Sequence, residues 1–238
     1  MQSLIKNDTE RAQLPVAVVT GGTSGIGLAI VHELAADHLV YAIGRDEKKI
    51  KDLENKENII PIKLNLLDKK EREDFFGTLN KINVLVHSAA NLEKFSIENS
   101  SYDLWQKVFD INVFVPAEVT RMSLYKLREY LGQIIFINSG AGQRGIAGHT
   151  VYVASKFALR GLADSLRLEE AADGIRVATI YPGPTESNNK TEYSHTQVKW
   201  RESEAKDHAK AVRAIVNVGR NTQISEISVR PRIDYDAE

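Results

Sequence analysis

The chain has no cysteine. That excludes disulfides, thiolate metal ligands and a cysteine nucleophile. It also has no apolar run approaching the roughly 20 residues needed to cross a bilayer. Residues 1–14, MQSLIKNDTERAQL, lack the apolar core of a signal peptide. A cytoplasmic protein with no membrane partner is the expectation. Charge of one sign is missing too: 31 basic residues face 32 acidic ones, a net charge of -1. Lys and Arg are scattered rather than striped, so no nucleic-acid partner is expected. No linker rich in Pro, Gly or Ser, no internal repeat and no low-complexity tract divides the 238 residues. One domain with a substantial core is the natural reading.

What is present is alternation. Short apolar runs predict strands at Val16–Thr20, Leu39–Ile43, Ile59–Leu64, Val84–Ser88, Ile134–Asn138, Ile175–Ile180 and Ile224–Val229. Several are apolar almost throughout, as suits parallel strands buried on both faces. Amphipathic stretches between them predict helices over Ile26–Ala36, Glu47–Asn55, Asp68–Leu79, Tyr102–Glu129, Val151–Ala172 and Glu204–Val216. Ser100-Ser101-Tyr102-Asp103 reads as a capping box opening the longest of these. Strand alternating with helix makes an α/β, doubly wound sheet of about seven mostly parallel strands, with helices on both faces. The expected limits are a polar extension over 1–14, a single domain over 15–230 and a tail over 231–238.

Three glycines, Gly21, Gly25 and Gly27, fall in the first strand-to-helix turn, VVTGGTSGIG. In a doubly wound sheet ligands bind beyond the carboxyl ends of the strands. Gly21 suits a tight turn, Gly25 the close approach of an anion, and Gly27 the packing of helix on strand. Free N–H groups and the helix dipole there favour a pyrophosphate, and Thr23 and Ser24 add hydroxyl donors. A second constellation is YVASK, Tyr152 to Lys156. Residues four apart share a helix face, so a phenol and an ammonium lie together. The cation is expected to pull the tyrosine below its usual pKa of about 10, as a general acid requires. Ser139 stands thirteen residues before Tyr152, just past an apolar strand.

Taken together, TGGTSGIG at residues 20–27, Asn112, Ser139, Tyr152 and Lys156 resemble the short-chain dehydrogenase/reductase family. The resemblance spans about Pro15 to Arg230 and implies a Rossmann-like fold and hydride transfer between a nicotinamide and a carbonyl or alcohol carbon. It implies Tyr152 as general acid/base and Lys156 as the residue that lowers the tyrosine pKa and holds the nicotinamide ribose. Ser139 would bind the substrate oxygen. Asn112 would interrupt its helix and position a water of the proton relay. Cofactor contacts are implied for the turn residues, Ile26 included, and for Pro182, Gly183, Thr185 and Ser187.

Relatives that use NAD commonly end the second strand with an acidic residue. Here Gly44 holds that position and Arg45 follows, which favours NADP(H), since an arginine can pair with a 2′-phosphate; NAD(H) is the alternative. The competing reading of Arg45 is a solvated charge offset by Asp46. The family's Asn-Asn-Ala-Gly is His87-Ser88-Ala89-Ala90 here, with Ala89 and Ala90 beside the adenosine ribose. Asn65 replaces an aspartate at the adenine, next to Leu66. His87 is expected to be packed or hydrogen-bonded rather than catalytic. Gln143, Arg144 and His149 offer polar substrate contacts and Trp200 an apolar wall, without selecting one carbonyl or alcohol substrate. The resemblance also implies a homodimer or homotetramer paired through Tyr102–Glu129 and Val151–Ala172. Two rivals remain: an NAD-dependent alcohol or polyol dehydrogenase, and a non-catalytic nucleotide-binding redox sensor.

Overall fold

The first strand, β1 (Val16–Thr20), sends Val18 to one side and Ala17 and Val19 to the other, and all three are buried. A strand buried on both faces needs helices above and below it. The computed structural model, which describes residues 11, 13–185 and 202–232, supplies both layers. Its further strands are β2 (Leu39–Gly44), β3 (Ile59–Lys63), β4 (Val84–His87), β5 (Gln133–Ile137), β6 (Arg176–Pro182) and β7 (Glu226–Val229). They form one sheet in the order β3-β2-β1-β4-β5-β6-β7, with every pairing parallel.

The helices are α1 (Gly25–Leu34), α2 (Glu47–Lys51), α3 (Lys69–Thr78), α4 (Tyr102–Phe109), α5 (Val115–Glu129), α6 (Thr150–Glu169) and α7 (Ala205–Asn217). Ile30, Val31 and Leu34 of α1 and Val212 and Ile215 of α7 cover one face of the sheet. Phe76 of α3, Val119 and Leu127 of α5, and Leu159 and Ala163 of α6 cover the other. Each of the larger of these side chains, fully buried, contributes roughly 1.5–3 kcal/mol. Among the described residues no helix is long and apolar enough to cross a membrane.

The differences from expectation fall at polar positions. The stretch Tyr102–Glu129 divides into α4 and α5 around a π turn, Asp110–Phe114. The helix expected over Glu47–Asn55 stops at Lys51, and Asn55 takes a left-handed φ of 64°. The reciprocal capping box does not form: Ser101 alone caps α4, accepting from Leu104 N, while Ser100 Oγ donates to Ser96 O. The last strand begins at Glu226, two residues late, because it is an edge strand with alternate residues exposed. The outer strand β3 carries Pro61, which an edge tolerates. The expected extension and tail lie largely outside the described residues.

Strand order reverses between β1 and β4, where Thr20 pairs with His87, and the glycine turn opens into that crevice. Gly21, at φ 66°, lies against the Ala89 backbone, with Ala89 N 2.8 Å from where a Cβ would stand. A Cβ on Gly27 would collide with the Gly21 carbonyl oxygen, whereas one on Gly25 would meet nothing within 4 Å. Gly25 is constrained only by its φ of 52°. Gly25→Ala is therefore expected to cost about 1 kcal/mol through the left-handed backbone. Gly27→Ala is expected to cost about 3 kcal/mol through overpacking. Urea denaturation of the two variants checks the ranking, and the reverse order would contradict the geometry.

Candidate functional site

The start of α6 is held against the end of β5. Asn138 donates from Nδ2 to the Lys156 carbonyl at 3.1 Å, and Thr150 N donates to Phe95 O at 3.0 Å. Within this junction Tyr152 and Lys156 share a helix face and are both buried. Ser139 follows β5 in an extended conformation and its Oγ accepts from Ala141 N at 3.1 Å. The Ser139 side chain also faces the Tyr152 phenol, closely enough to favour its ionised form. Lys156 Nζ lies 5.8 Å from the centre of the tyrosine ring and donates to Ile137 O at 3.4 Å. Three of the four residues singled out for catalysis thus come together.

Their titration differs from the sequence expectation. Burial pushes the Tyr152 phenol above its ordinary value, and the nearby Ser139 side chain opposes this only in part. Burial also brings Lys156 down to about 8. Helical spacing put the two groups on one face, but the ammonium lies over the ring rather than at the hydroxyl, and desolvation dominates both.

Asn112 is buried in the π turn. Its Oδ1 accepts from Asn91 N at 2.7 Å, and its Nδ2 donates to Asn91 O and Ser155 Oγ, each at 3.0 Å. Ser155 Oγ in turn donates to the Tyr152 carbonyl at 2.7 Å. The Asn112 side chain is therefore committed to the protein. An α-helix would supply the donor to its main-chain carbonyl from residue 116, a proline with no N–H.

Around the glycine turn, Ser24 is exposed and caps α1 without a side-chain bond. Thr23 is buried, its side chain filling the space where a Cβ on Gly44 would stand. Ile26 packs on the core. Asp46 does not offset Arg45; its carboxylate caps α2, accepting from Lys48 N and Lys49 N. Arg45 is exposed, with no hydrogen bond or ion pair among the described residues. Asn65 Oδ1 already accepts from Leu67 N at 3.2 Å, and Leu66 is in the core. At Ser88, Thr20 Oγ1 accepts from Ser88 N and Ala89 N and donates to Val86 O. Ala90 is half-buried. His87 is packed and bonded, 2.9 Å from Thr120 Oγ1 and stacked on Phe136, and burial brings it down to about 3.

Pro182 ends β6, and Gly183 N donates to Val229 O at 2.8 Å. Thr185 bonds to Gly183 O, and its other contacts are to His208 and Ser203. Gln143 reaches Ser228, and His149 bonds to Ala147 O. Ser187 and Trp200 lie outside the described residues. Sequence reasoning missed Asn91, Asn138, Ser155 and His208. Ser155 was inside YVASK, and Asn138 directly precedes Ser139, so polarity at a strand end was the available signal. Among the described residues no group of His, Asp and Glu could hold a metal ion.

Known proteins share this arrangement of chain. A family model described as short chain dehydrogenase matches residues 15–198. A crystal structure of a putative short-chain dehydrogenase/reductase from Corynebacterium glutamicum is 37% identical, with a TM-score of 0.71 over 91% of this chain and 99% of that one. The closed form of a serine dehydrogenase complexed with NADP+ is 26% identical, with a TM-score of 0.80 over 91% of this chain and 94% of that one. A 3-dehydrosphinganine reductase of Danio rerio is 31% identical over 76% of this chain, which spans only 59% of that protein. A match over most of the chain, by sequence and by fold, has one reading: the chain belongs to the short-chain dehydrogenase/reductase family of oxidoreductases.

Proposed function

We propose that this protein reduces the carbonyl group of a small molecule reversibly to an alcohol, with NADP(H) as cofactor. The observation that carries the reading is the Ser139–Tyr152–Lys156 group, in which a buried, protonated phenol meets a half-buried serine and a buried ammonium on the same helix face. The glycine turn fits a dinucleotide: the space at Gly25 is open, the Ser24 hydroxyl is exposed, and the first N–H groups of α1 face it. When bound, the cofactor supplies the hydride for the carbonyl carbon.

The residues of the chain then handle the oxygen. Tyr152, kept protonated by burial, donates its proton to that oxygen as negative charge develops there. Ser139 donates a hydrogen bond to the same oxygen. Lys156 stabilises the phenolate left behind and, titrating near neutrality at about 8, returns a proton to it. We assign the Asn112 carbonyl, which has no donor at Pro116, to hold the water that reprotonates Lys156. Thr185 meets the carboxamide at the far end of β6.

The choice of NADP(H) is supported at the end of β2. No carboxylate stands at Gly44, where Thr23 fills the space, and Arg45 is exposed with no partner among the described residues. A guanidinium so placed can pair bidentately with a 2′-phosphate. A second copy of the chain is the proposed partner. Phe114 and Tyr125 are exposed on or beside α5, and Phe157 and Leu168 on α6, where Gly161 leaves open space between them.

Titration of nicotinamide fluorescence tests the cofactor reading. NADPH is expected to bind at least about tenfold more tightly than NADH, a margin of about 1.4 kcal/mol for the phosphate contact. The margin should vanish in Arg45→Ala and persist in Tyr152→Phe, which should lower kcat about 10²–10⁴-fold. Tighter NADH binding would overturn NADP(H), and binding of neither nucleotide would overturn the enzyme reading. A second expectation concerns stability without cofactor. The pKa of Lys156 is depressed from an ordinary 10.4 or so to about 8. Between those values the unfolded chain holds the extra proton, so stability gained from this group rises with pH. Below pH 8, Lys156→Met should therefore be more stable than the parent by up to roughly 3 kcal/mol, a difference that shrinks toward pH 10. Denaturant melts at pH 7 and 10 check it, and a difference independent of pH would mean a solvated ammonium.

A further inference from the structure

One face of α7 lies on the sheet through Ala209, Val212 and Ile215, and His208 on that face is fully buried. Position 208 stands four and seven residues before Val212 and Ile215, where the helical period asks for an aliphatic side chain. The imidazole comes with a cost, because its Nδ1 is buried with no hydrogen-bond partner among the described residues. Its Nε2 lies 2.9 Å from Thr185 Oγ1 and 3.0 Å from Ser203 Oγ.

Counting protons gives those contacts a direction. The Thr185 hydroxyl donates to Gly183 O at 2.9 Å, and the Ser203 hydroxyl donates to Pro184 O at 3.1 Å. Each hydroxyl has a single proton. With both carbonyl bonds made, the hydrogen shared with the imidazole sits on Nε2, and the bare Nδ1 is the unpartnered atom. Thr185 is thus held from two sides, with no proton left to give and one lone pair left to accept. It follows β6 beside the Ser139 turn, where Pro182 O is 3.8 Å from the position a Cβ on Gly140 would take.

We propose that His208 is a positioning residue for the nicotinamide end of the cofactor site, fixing Thr185 as an acceptor for the –NH2 of a carboxamide. The proposal rests on the reading above that a nicotinamide dinucleotide binds with Thr185 at its carboxamide. A lone aliphatic side chain at 208 would fill the core equally well but would leave the Thr185 hydroxyl held by Gly183 O alone, with no donor on its other side to stop the proton turning away.

Calorimetric titration with NADPH, its 3-acetylpyridine analogue (methyl in place of –NH2) and 2′,5′-ADP (no nicotinamide) tests it. The parent protein is expected to prefer NADPH over the analogue by about three- to tenfold, the worth of one hydrogen bond. His208→Val should remove that preference and leave 2′,5′-ADP binding unchanged, whereas His208→Gln, which keeps an N–H near Nε2, should restore it. Thr185→Val, a change outside the helix core, should lose the same preference, and adding His208→Val to it should lose no more. Persistence of the preference in His208→Val, or an equal loss of 2′,5′-ADP binding, would overturn the proposal. Should the parent bind 2′,5′-ADP but gain nothing from the nicotinamide half, the functional reading itself falls and this inference with it.

Discussion

The ammonium of Lys156 is the constraint around which the rest of the site is built. It is 1% exposed, and among the described residues it meets no carboxylate, only the Tyr152 ring and the Ile137 carbonyl at 3.4 Å. A charge so placed is costly in a protein interior. The contrast is Glu170, also buried, whose carboxylate takes two bonds from Arg128 at 2.9 and 2.7 Å. Around Lys156 the polar side chains bind backbone instead of the charge. Asn138 holds the lysine's own carbonyl, Ser155 holds that of Tyr152, and Asn112 ties Ser155 to Asn91. These bonds fix the first two turns of α6 on the sheet, so the cation and phenol have little freedom to relax toward water.

Much of the fold was legible because the strands are apolar on both faces. β1 falls where the valine run predicts it, and β2 to β6 shift by one or two residues at their ends. The misreadings sit where polar residues act on backbone. Ser101 takes the cap that Ser100-to-Asp103 spacing suggested, and Asn55 turns left-handed where periodicity alone continued the helix. In the site, helical spacing brought Tyr152 and Lys156 together but carried nothing about depth. Depth decides the titration, so the phenol rises where a neighbouring cation suggested a fall. Asn91, Asn138 and His208 escaped notice for a related reason: each contacts backbone or another side chain of the protein, and no spacing marks such a role. The π turn did leave a sign, Pro116 four residues after Asn112.

The departures at the fourth strand are largely absorbed nearby. Thr20 Oγ1 gathers Ser88 N, Ala89 N and Val86 O, so the lost amide at Ser88 leaves no broken ladder between β1 and β4. At the end of β2 the substitution runs the other way. Gly44 is small because Thr23 occupies its side-chain space, and the acidic residue expected of NAD-dependent relatives could not enter without moving that threonine. The ends of β4 and β2, on either side of β1, thus each meet a threonine side chain.

The proline in the outer strand has a consequence for how copies of this protein can meet. Leu64 N donates inward to Gly44 O, and the two-residue period of a strand turns the N–H positions of residues 59, 61 and 63 outward. Ile59 N is already bonded to Lys56 O at 3.3 Å, and Pro61 has no N–H to offer. Only the N–H of Lys63 remains on that border, beside a charged side chain. A foreign strand approaching there finds too few donors to zip onto, which guards a sheet of continuous valine and isoleucine runs against growing sideways into aggregates.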